Sequence, residues 1–346
     1  MKFLFIGDVH VKTDNSEEID ILLHEIQRIS KEYTFDYIIV GGDVMHYHER
    51  LFTQCLNKSI NFLKSLTDIC YTYVLVGNHD YINNSEFLTQ NHWMNSIKNW
   101  ENLKIVDEVI EEKDFILCPY VYPGRFIEAL ETKTKDWMDK KIIFAHQEFK
   151  GCKMGAIVSV DGDLWNEYCP YVISGHIHDN QKVGENIYYP GSPLQHAFGD
   201  SDTRVLCHIS INESDSYDNK PKIVDIPLNV PKKRIIKANL SNIKDILKNS
   251  KDKKDDEKKE DNIKIKLDVT NEEFKLFKET KEYKELLNKG IKIQINKKKS
   301  EKKDDTEEKE VESNFMSVLE SMVKNDEPMV KNLYDEIILN KILITI

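Results

Sequence analysis

The strongest constraint in this chain is a series of five short polar islands, each directly after an apolar run. Asp8-Val-His10 follows Lys2–Ile6, Gly42-Asp43 follows Tyr37–Val40, and Gly77-Asn78-His79-Asp80 follows Tyr71–Val76. Ala145-His146 follows Lys141–Phe144, and Gly175-His176-Ile177-His178 follows Tyr171–Ile173. Such runs read as buried strands of one α/β sheet. Folds of that class place their sites at strand ends. The oxygen and nitrogen donors Asp8, His10, Asp43, Asn78, His79, His146, His176 and His178 include no thiolate. Converging on one edge, they describe a pocket for two hard-to-borderline divalent metals. The expected chemistry is hydrolysis of a phosphate ester.

A chain of 346 residues can hold one large domain and smaller appendages. No apolar run approaches the ~18 residues needed to span a bilayer. The segment Met1–Gly7 runs straight into the first island, so it reads as a core strand rather than a signal peptide. Cys55, Cys70, Cys118, Cys152, Cys169 and Cys207 show no CxxC spacing. They read as reduced core residues of an intracellular, soluble protein. The net charge of −11, concentrated in the first two-thirds, gives no support to a nucleic-acid partner. It does not exclude one either, because two bound cations reverse the field at the site.

Residues 1 to about 210 alternate strand and helix, the pattern of a layered α/β fold. Glu17–Tyr33 and Leu51–Leu66 have helical apolar faces. The shorter pieces Gln181–Val183, Asn186–Tyr189, Arg204–Ile211 and Lys222–Ile226 predict a second sheet. The texture then changes, with strands expected at Lys233–Leu240, Asn262–Val269 and Ile291–Ile295 and one helix over Asn271–Leu287. The domains expected are therefore 1–228, an α+β cap at 229–297 with a charged insertion at 249–261, a charged linker at 298–312, and a helical segment at 313–346. The last carries Phe315, Met316, Leu319, Met322, Leu333 and Ile337, and either folds back or docks on a partner.

The residue types suit two-metal hydrolysis. A carboxylate such as Asp43 has two oxygens and can bridge cations roughly 3.5–4 Å apart. Asn78 offers an amide oxygen, and His146, His176 and His178 offer nitrogens. A mixed set fits manganese, iron or zinc better than calcium. Such ions polarise a phosphate and activate water, and an imidazole can protonate the leaving oxygen.

With these residues in order, the chain resembles the calcineurin-like metallophosphoesterase superfamily, whose signature is Asp-x-His, Gly-Asp, Gly-Asn-His-Asp/Glu, a lone His and Gly-His-x-His. The resemblance implies a four-layer αββα sandwich with a small α+β cap and a C-terminal helical tail. Gly42-Asp43-Val44-Met45-His46 departs from the protein-phosphatase branch, which continues into Asp-Arg-Gly. It is similar to the SbcD / meiotic-recombination-eleven nucleases of double-strand-break repair. Tyr189-Pro190-Gly191-Ser192-Pro193-Leu194-Gln195 is similar to the recombination nuclease subunits of T4-like phages and large DNA viruses.

The resemblance implies one metal held by Asp8, His10, Asp43 and His178, and another by Asp43, Asn78, His146 and His176. It implies His79 as proton donor or transition-state stabiliser, Asp80 as its orienter, and His46 as a histidine that contacts phosphate or guides the DNA end. His48 has no assigned counterpart and reads as a surface or loop residue. The implied cofactors are two divalent ions, manganese foremost. The implied activities are 3′→5′ double-strand exonuclease and single-strand endonuclease. The implied partners are DNA, a second copy through the Leu51–Leu66 helix, and an SbcC-type SMC-like ABC ATPase at residues 313–346, with no membrane. Two other readings are a small-molecule phosphodiesterase or nucleotidase of the same superfamily, which needs no docking tail, and a non-catalytic scaffold, which the intact donor set disfavours.

Overall fold

The computed structural model describes residues 1–212, 220–249 and 261–297. From the N-terminus, β1 (Lys2–Ile6), α1 (Ser16–Glu32), β2 (Tyr37–Val40), α2 (Thr53–Thr67), β3 (Thr72–Leu75) and β4 (Leu103–Val106) alternate. The chain crosses to β5 (Ile110–Glu111), β6 (Phe115–Cys118), α3 (Phe126–Glu131) and β7 (Ile142–His146). A hairpin of β8 (Lys153–Met154) and β9 (Ile157–Val158) precedes β10 (Tyr171–Gly175), β11 (Gln181–Val183) and β12 (Ile187–Tyr189). Then come β13 (Val205–Ser210), β14 (Lys222–Pro227), β15 (Lys233–Ala238), α4 (Ile243–Asn249) and β16 (Asn262–Val269). Helices α5 (Asn271–Lys278) and α6 (Lys281–Asn288) lead to β17 (Lys292–Lys297).

The five islands do not follow strands of a single sheet. One sheet has the order β14-β13-β1-β2-β3-β4, and the other β11-β12-β10-β7-β6-β5. The first three islands leave the first sheet, and the last two leave the second. Side-chain alternation explains how both sheets are buried. Phe3 and Phe5 of β1 point into the space between the sheets with Leu75, Phe115, Phe144 and Ile173. Leu4 and Ile6 point the other way, onto Ile19, Leu22, Ile26 and Ile29 of α1 and Phe62 and Leu66 of α2. The outer face of the second sheet, with Ile116, Ile143 and Val172, packs on Phe126, Ala129 and Leu130 of α3. Helix, sheet, sheet and helix thus form the four layers of the expected metallophosphoesterase sandwich.

The pieces after His178 divide between the sheets. β11 and β12 extend the second, whereas β13 and β14 extend the first, β13 lying antiparallel to β1. Leu51 precedes α2 and is half exposed, so it lies outside that helix's buried face.

Beyond residue 230, β15, β16 and β17 form a parallel sheet whose inner face, with Ile265 and Leu267, packs on Ile243, Leu247, Phe277 and Leu286. Periodicity alone did not separate α4 from the charged tract behind it. The single helix expected over Asn271–Leu287 is two. Thr280 ends the first by donating its hydroxyl to the Phe277 carbonyl (2.7 Å) and caps the second by accepting from Tyr283 N (3.2 Å). Residues 250–260, the 298–312 linker and the 313–346 segment lie outside the described residues.

Phe144 is fully buried, with the rings of Phe3, Phe5 and Phe115 within 6.2 Å. Phe144→Ala should cost about 3–5 kcal/mol of stability in urea unfolding. Leu276→Ala, at a side chain 73% exposed, should stay within about 0.5 kcal/mol.

Candidate metal centre

Strand ends alone do not aim the donors; the backbone does so by turning left-handed. His10, Asp43 and His176 have φ of +47°, +48° and +78°, a region side-chain-bearing residues seldom enter. Each lies at or just past the end of a strand and swings its side chain towards the gap between the sheets. Such conformations cost of order 1–3 kcal/mol each and persist where surrounding contacts fix them. Two glycines make room. A Cβ on Gly42, itself at φ +104°, would collide with the His146 imidazole, and one on Gly77 with the Asp43 backbone and carboxylate. The Gly-Asp and Gly-Asn pairs of the sequence therefore have a steric cause.

The two donor sets converge as two clusters that share a residue. Asp8, His10 and Asp43 bring ligand atoms within 4.8 Å of one another, and so do Asp43, His146 and His176. Asn78 joins the second cluster, its Oδ1 lying 3.0 Å from both His146 Nε2 and His176 Nδ1. His178 joins the first, its Nε2 3.0 Å from His10 Nε2. Asp43 stands between the two clusters.

The donors fit a pair of divalent cations. Asp8 and Asp43 are buried carboxylates in one cavity, and Asp8 Oδ2 has no hydrogen-bond partner among the described residues. An ionised oxygen so placed is costly without a cation. Burial raises the Asp8 carboxyl, only partly opposed by the charge of His146. Asp43 is also desolvated, but His146 and His10 hold it well below the usual range. Burial opposes protonation of His146, yet Asp43 and Asp8 outweigh it and raise this imidazole to about 9. His146 Nδ1 donates to the Gly41 carbonyl at 2.7 Å, which leaves Nε2 facing Asn78 and Asp43. That contact fixes the tautomer a metal ligand needs.

Of the expected catalytic residues, His79 and His46 are half-buried beside the donors, whereas Asp80 is buried. His79 N donates to Asp43 Oδ1 (2.8 Å), and its Nδ1 donates to the carbonyl of His46 (2.7 Å). Nε2 is left to hold or accept a proton. The rings of His79 and His46 are nearly parallel at 5.5 Å. Burial, with Lys12 nearby, depresses His46 to about 4.

Asp80 does not orient the His79 ring. Its carboxylate accepts from Val44 N (3.2 Å), Met45 N (3.2 Å), Gly77 N (3.1 Å) and Trp93 Nε1 (2.9 Å). It therefore ties the loop carrying Asp43 to the loop carrying Asn78, and is a positioning residue. Nor is His48 a bystander. Its ring stacks on His79 at 4.4 Å and 19°. Gly-Asp-x-x-His-x-His thus supplies two rings that lie nearly parallel to that of His79.

One residue of the site has almost no signal in the sequence. His196 packs edge-on against His10 (4.6 Å) and His178 (4.7 Å), and its Nε2 donates to the Asp8 carbonyl at 3.2 Å. Its one sequence cue is its place directly after Tyr189–Gln195. That stretch is structural wiring. Tyr189 Oη accepts from Phe149 N and donates to the Gln147 carbonyl, each at 3.0 Å, bracing the loop after His146. Ser192 N and Arg204 Nη1 both donate to the His178 carbonyl, at 3.1 and 3.0 Å.

Because His146 must lose a proton to bind a metal through Nε2, binding should release protons. Affinity of chelator-stripped protein for Mn2+ should rise as pH increases from 7 towards 9, read by titration calorimetry in buffers of different ionisation enthalpy; pH-independent affinity would contradict this assignment. Asp80→Asn turns an amide NH2 towards N–H donors and should cost about 1–3 kcal/mol in urea unfolding.

Comparison with known proteins identifies the family. Residues 1–180 match the calcineurin-like phosphoesterase family. A provisionally named phosphoesterase, 244L of Invertebrate iridescent virus 6, is 45% identical over 286 residues, covering 81% of this chain and 98% of its own. A second, 078R of Invertebrate iridescent virus 3, is 42% identical over 297 residues, covering 84% of this chain and 82% of its own. The crystal structure of hypothetical protein PH1004 from Pyrococcus horikoshii OT3 aligns with a TM-score of 0.32 at 11% identity, over 72% of this chain and 93% of that one. No helix among the described residues is long and apolar enough to cross a membrane. The family match and the two viral relatives, on top of the donor set, establish that this chain belongs to the calcineurin-like phosphoesterases, hydrolases that work with divalent metal ions.

Proposed function

We propose that this phosphoesterase is a manganese-dependent DNA nuclease, a 3′→5′ exonuclease on duplex and an endonuclease on single strands, acting in recombination or double-strand-break repair. The observation that carries the reading is the path of Tyr189–Gln195. It braces the His146 and His178 loops at one end. At the other, Gln195 Oε1 accepts from Lys233 N (2.6 Å) and its carbonyl accepts from Lys233 Nζ (2.7 Å). A long substrate reaching the metals there also meets the β15-β16-β17 unit. The segment and Gly-Asp-x-x-His are the two features similar to the recombination nucleases. The mixed nitrogen and oxygen donor set supports manganese.

In this reading Asp8, His10, Asp43, Asn78, His146, His176 and His178 would hold two divalent ions, which would supply polarisation of a phosphate and a more acidic water. Asp43, common to both donor clusters, would serve both ions, and His79 Nε2 would deliver the proton to the leaving oxygen. His46 and His48, both nearly parallel to that imidazole, would restrict its rotation. The same reading implies a homodimer joined near α2, where Leu51 and Phe52 are exposed. It also implies an SbcC-type ATPase held by residues 313–346.

The test is Mn2+-supplemented cleavage of a 5′-labelled duplex and a labelled single strand, with bis-p-nitrophenyl phosphate and a 2′,3′-cyclic nucleotide alongside. Stepwise shortening from the 3′ ends is expected. His79→Ala should lower DNA cleavage by about 10²–10⁴-fold with bound manganese unchanged. Hydrolysis of the small diesters with untouched DNA would sink the nuclease reading in favour of a small-molecule phosphodiesterase.

A further inference from the structure

The outward face of the β15-β16-β17 sheet is chemically unlike the rest of this acidic chain. Strand register places Ile235, Lys264 and Lys292 in one row across it, and Lys237, Lys266 and Gln294 in the next. Alternation sends Ile236, Ile265, Leu267 and Ile293 to the opposite, packed face. Rows two residues apart along a strand are separated by roughly 6.6–6.8 Å. The lysines therefore form a grid rather than a point. Among the described residues, Lys237, Lys264, Lys266 and Lys292 make no ion pair. Two carboxylates adjoin the grid, and both have hydrogen-bond partners. Glu18 binds Lys233 (2.8 Å) and Asn262 (2.7 Å), and Asp268 accepts from Asn296 (2.7 Å).

The grid is joined to the metal centre. Phe198 lies under the ammonium groups of Lys264 and Lys292, 4.4 and 5.8 Å from its ring centre. Two residues earlier, His196 packs on His10 and His178. Lys12 Nζ donates to the His196 carbonyl at 3.3 Å. The segment 196–198 thus touches the lysine rows through Phe198 and His10 and His178 through His196.

We propose that this sheet face, with Lys237, Lys264, Lys266 and Lys292, is a track that binds the phosphate backbone of a nucleic acid and leads it to the metal centre. Lysines are point charges that hold phosphates without reading bases, so the track is indifferent to sequence. An anionic membrane surface is the competing polyanion. It is disfavoured because Ile235, 36% exposed, is the one apolar side chain of these two rows and gives little to insert. The proposal deepens the nuclease reading, and rests on it for the chemistry at the end of the track.

The experiment uses the full chain in chelator, so that cleavage cannot intervene. Anisotropy of fluorescein-labelled single-stranded and duplex oligonucleotides is followed against salt. The triple reversal Lys264→Glu, Lys266→Glu, Lys292→Glu should weaken binding at least about tenfold at low salt. The milder Lys→Gln triple variant guards against misfolding. It should lower the salt slope by about one for each lysine–phosphate pair removed. Both variants should hydrolyse bis-p-nitrophenyl phosphate within about twofold of the parent, which shows that the site is intact. Equal oligonucleotide binding by parent and variants overturns the track. So does binding of phosphatidylserine vesicles, lysine-dependent, with none of oligonucleotide. Lysine-dependent oligonucleotide binding with no cleavage in Mn2+ upholds the track and overturns the nuclease reading instead.

Discussion

Two buried carboxylates, Asp8 and Asp43, stand with oxygens within 4.8 Å of each other, and the site around them has to contend with their repulsion. Like charges in a medium of low effective dielectric oppose one another strongly. Among the protein's own groups His146 opposes that repulsion, its ring nitrogens 3.5 Å from Asp8 Oδ1 and 3.4 Å from Asp43 Oδ1, and burial raises the Asp8 carboxyl. Divalent cations do the same with more charge and shorter contacts. The site is thus a concentration of buried carboxylate whose cost to the fold a bound cation would offset.

Holding such a centre demands a rigid frame, and this frame is mostly main chain. The left-handed turns at His10, Asp43 and His176 aim side chains that strand geometry alone would send elsewhere. Backbone amides then fix the carboxylates: His176 N donates to Asp8 Oδ1 and His79 N to Asp43 Oδ1, each at 2.8 Å. Asp80 locks two of the loops by committing its acceptor capacity to neighbouring donors. Reactivity is left to the few groups with uncommitted valence, such as His79 Nε2.

Much of this was legible in the sequence because burial on both faces forces apolar runs, and metal chemistry restricts the residue types that can succeed them at the site. Asp8, His10, Asp43, Asn78, His146, His176 and His178 could be picked out as one constellation for that reason. Their distribution between two sheets could not, since a buried strand reads the same in either. His196 and His48 were silent because their importance lies in ring contacts across loops, which leave no periodic trace. The role of Asp80 was hidden because sequence adjacency to His79 suggests a partnership that the turn geometry does not allow. The break in the Asn271–Leu287 helix depends on one threonine acting as stop and start. The lysine grid escaped notice because its members are spread over three strands and gather only through register.

The pairing of β1 has a further consequence. Its neighbours are β2, which aligns Tyr37 with Phe3, and β13, which aligns Ser210 with Lys2. Every candidate metal donor of the two clusters lies between these ends, at residues 8 to 178. During synthesis a ribosome therefore releases the complete donor set while one flank of the strand that launches Asp8 and His10 still lacks its partner. Unpaired edges of that kind invite association with other chains, and such distant pairings close slowly. The emerging polypeptide thus passes through a window in which it is chemically equipped but architecturally open. β13 ends that window, as the closing stave that separates nascent chain from enzyme.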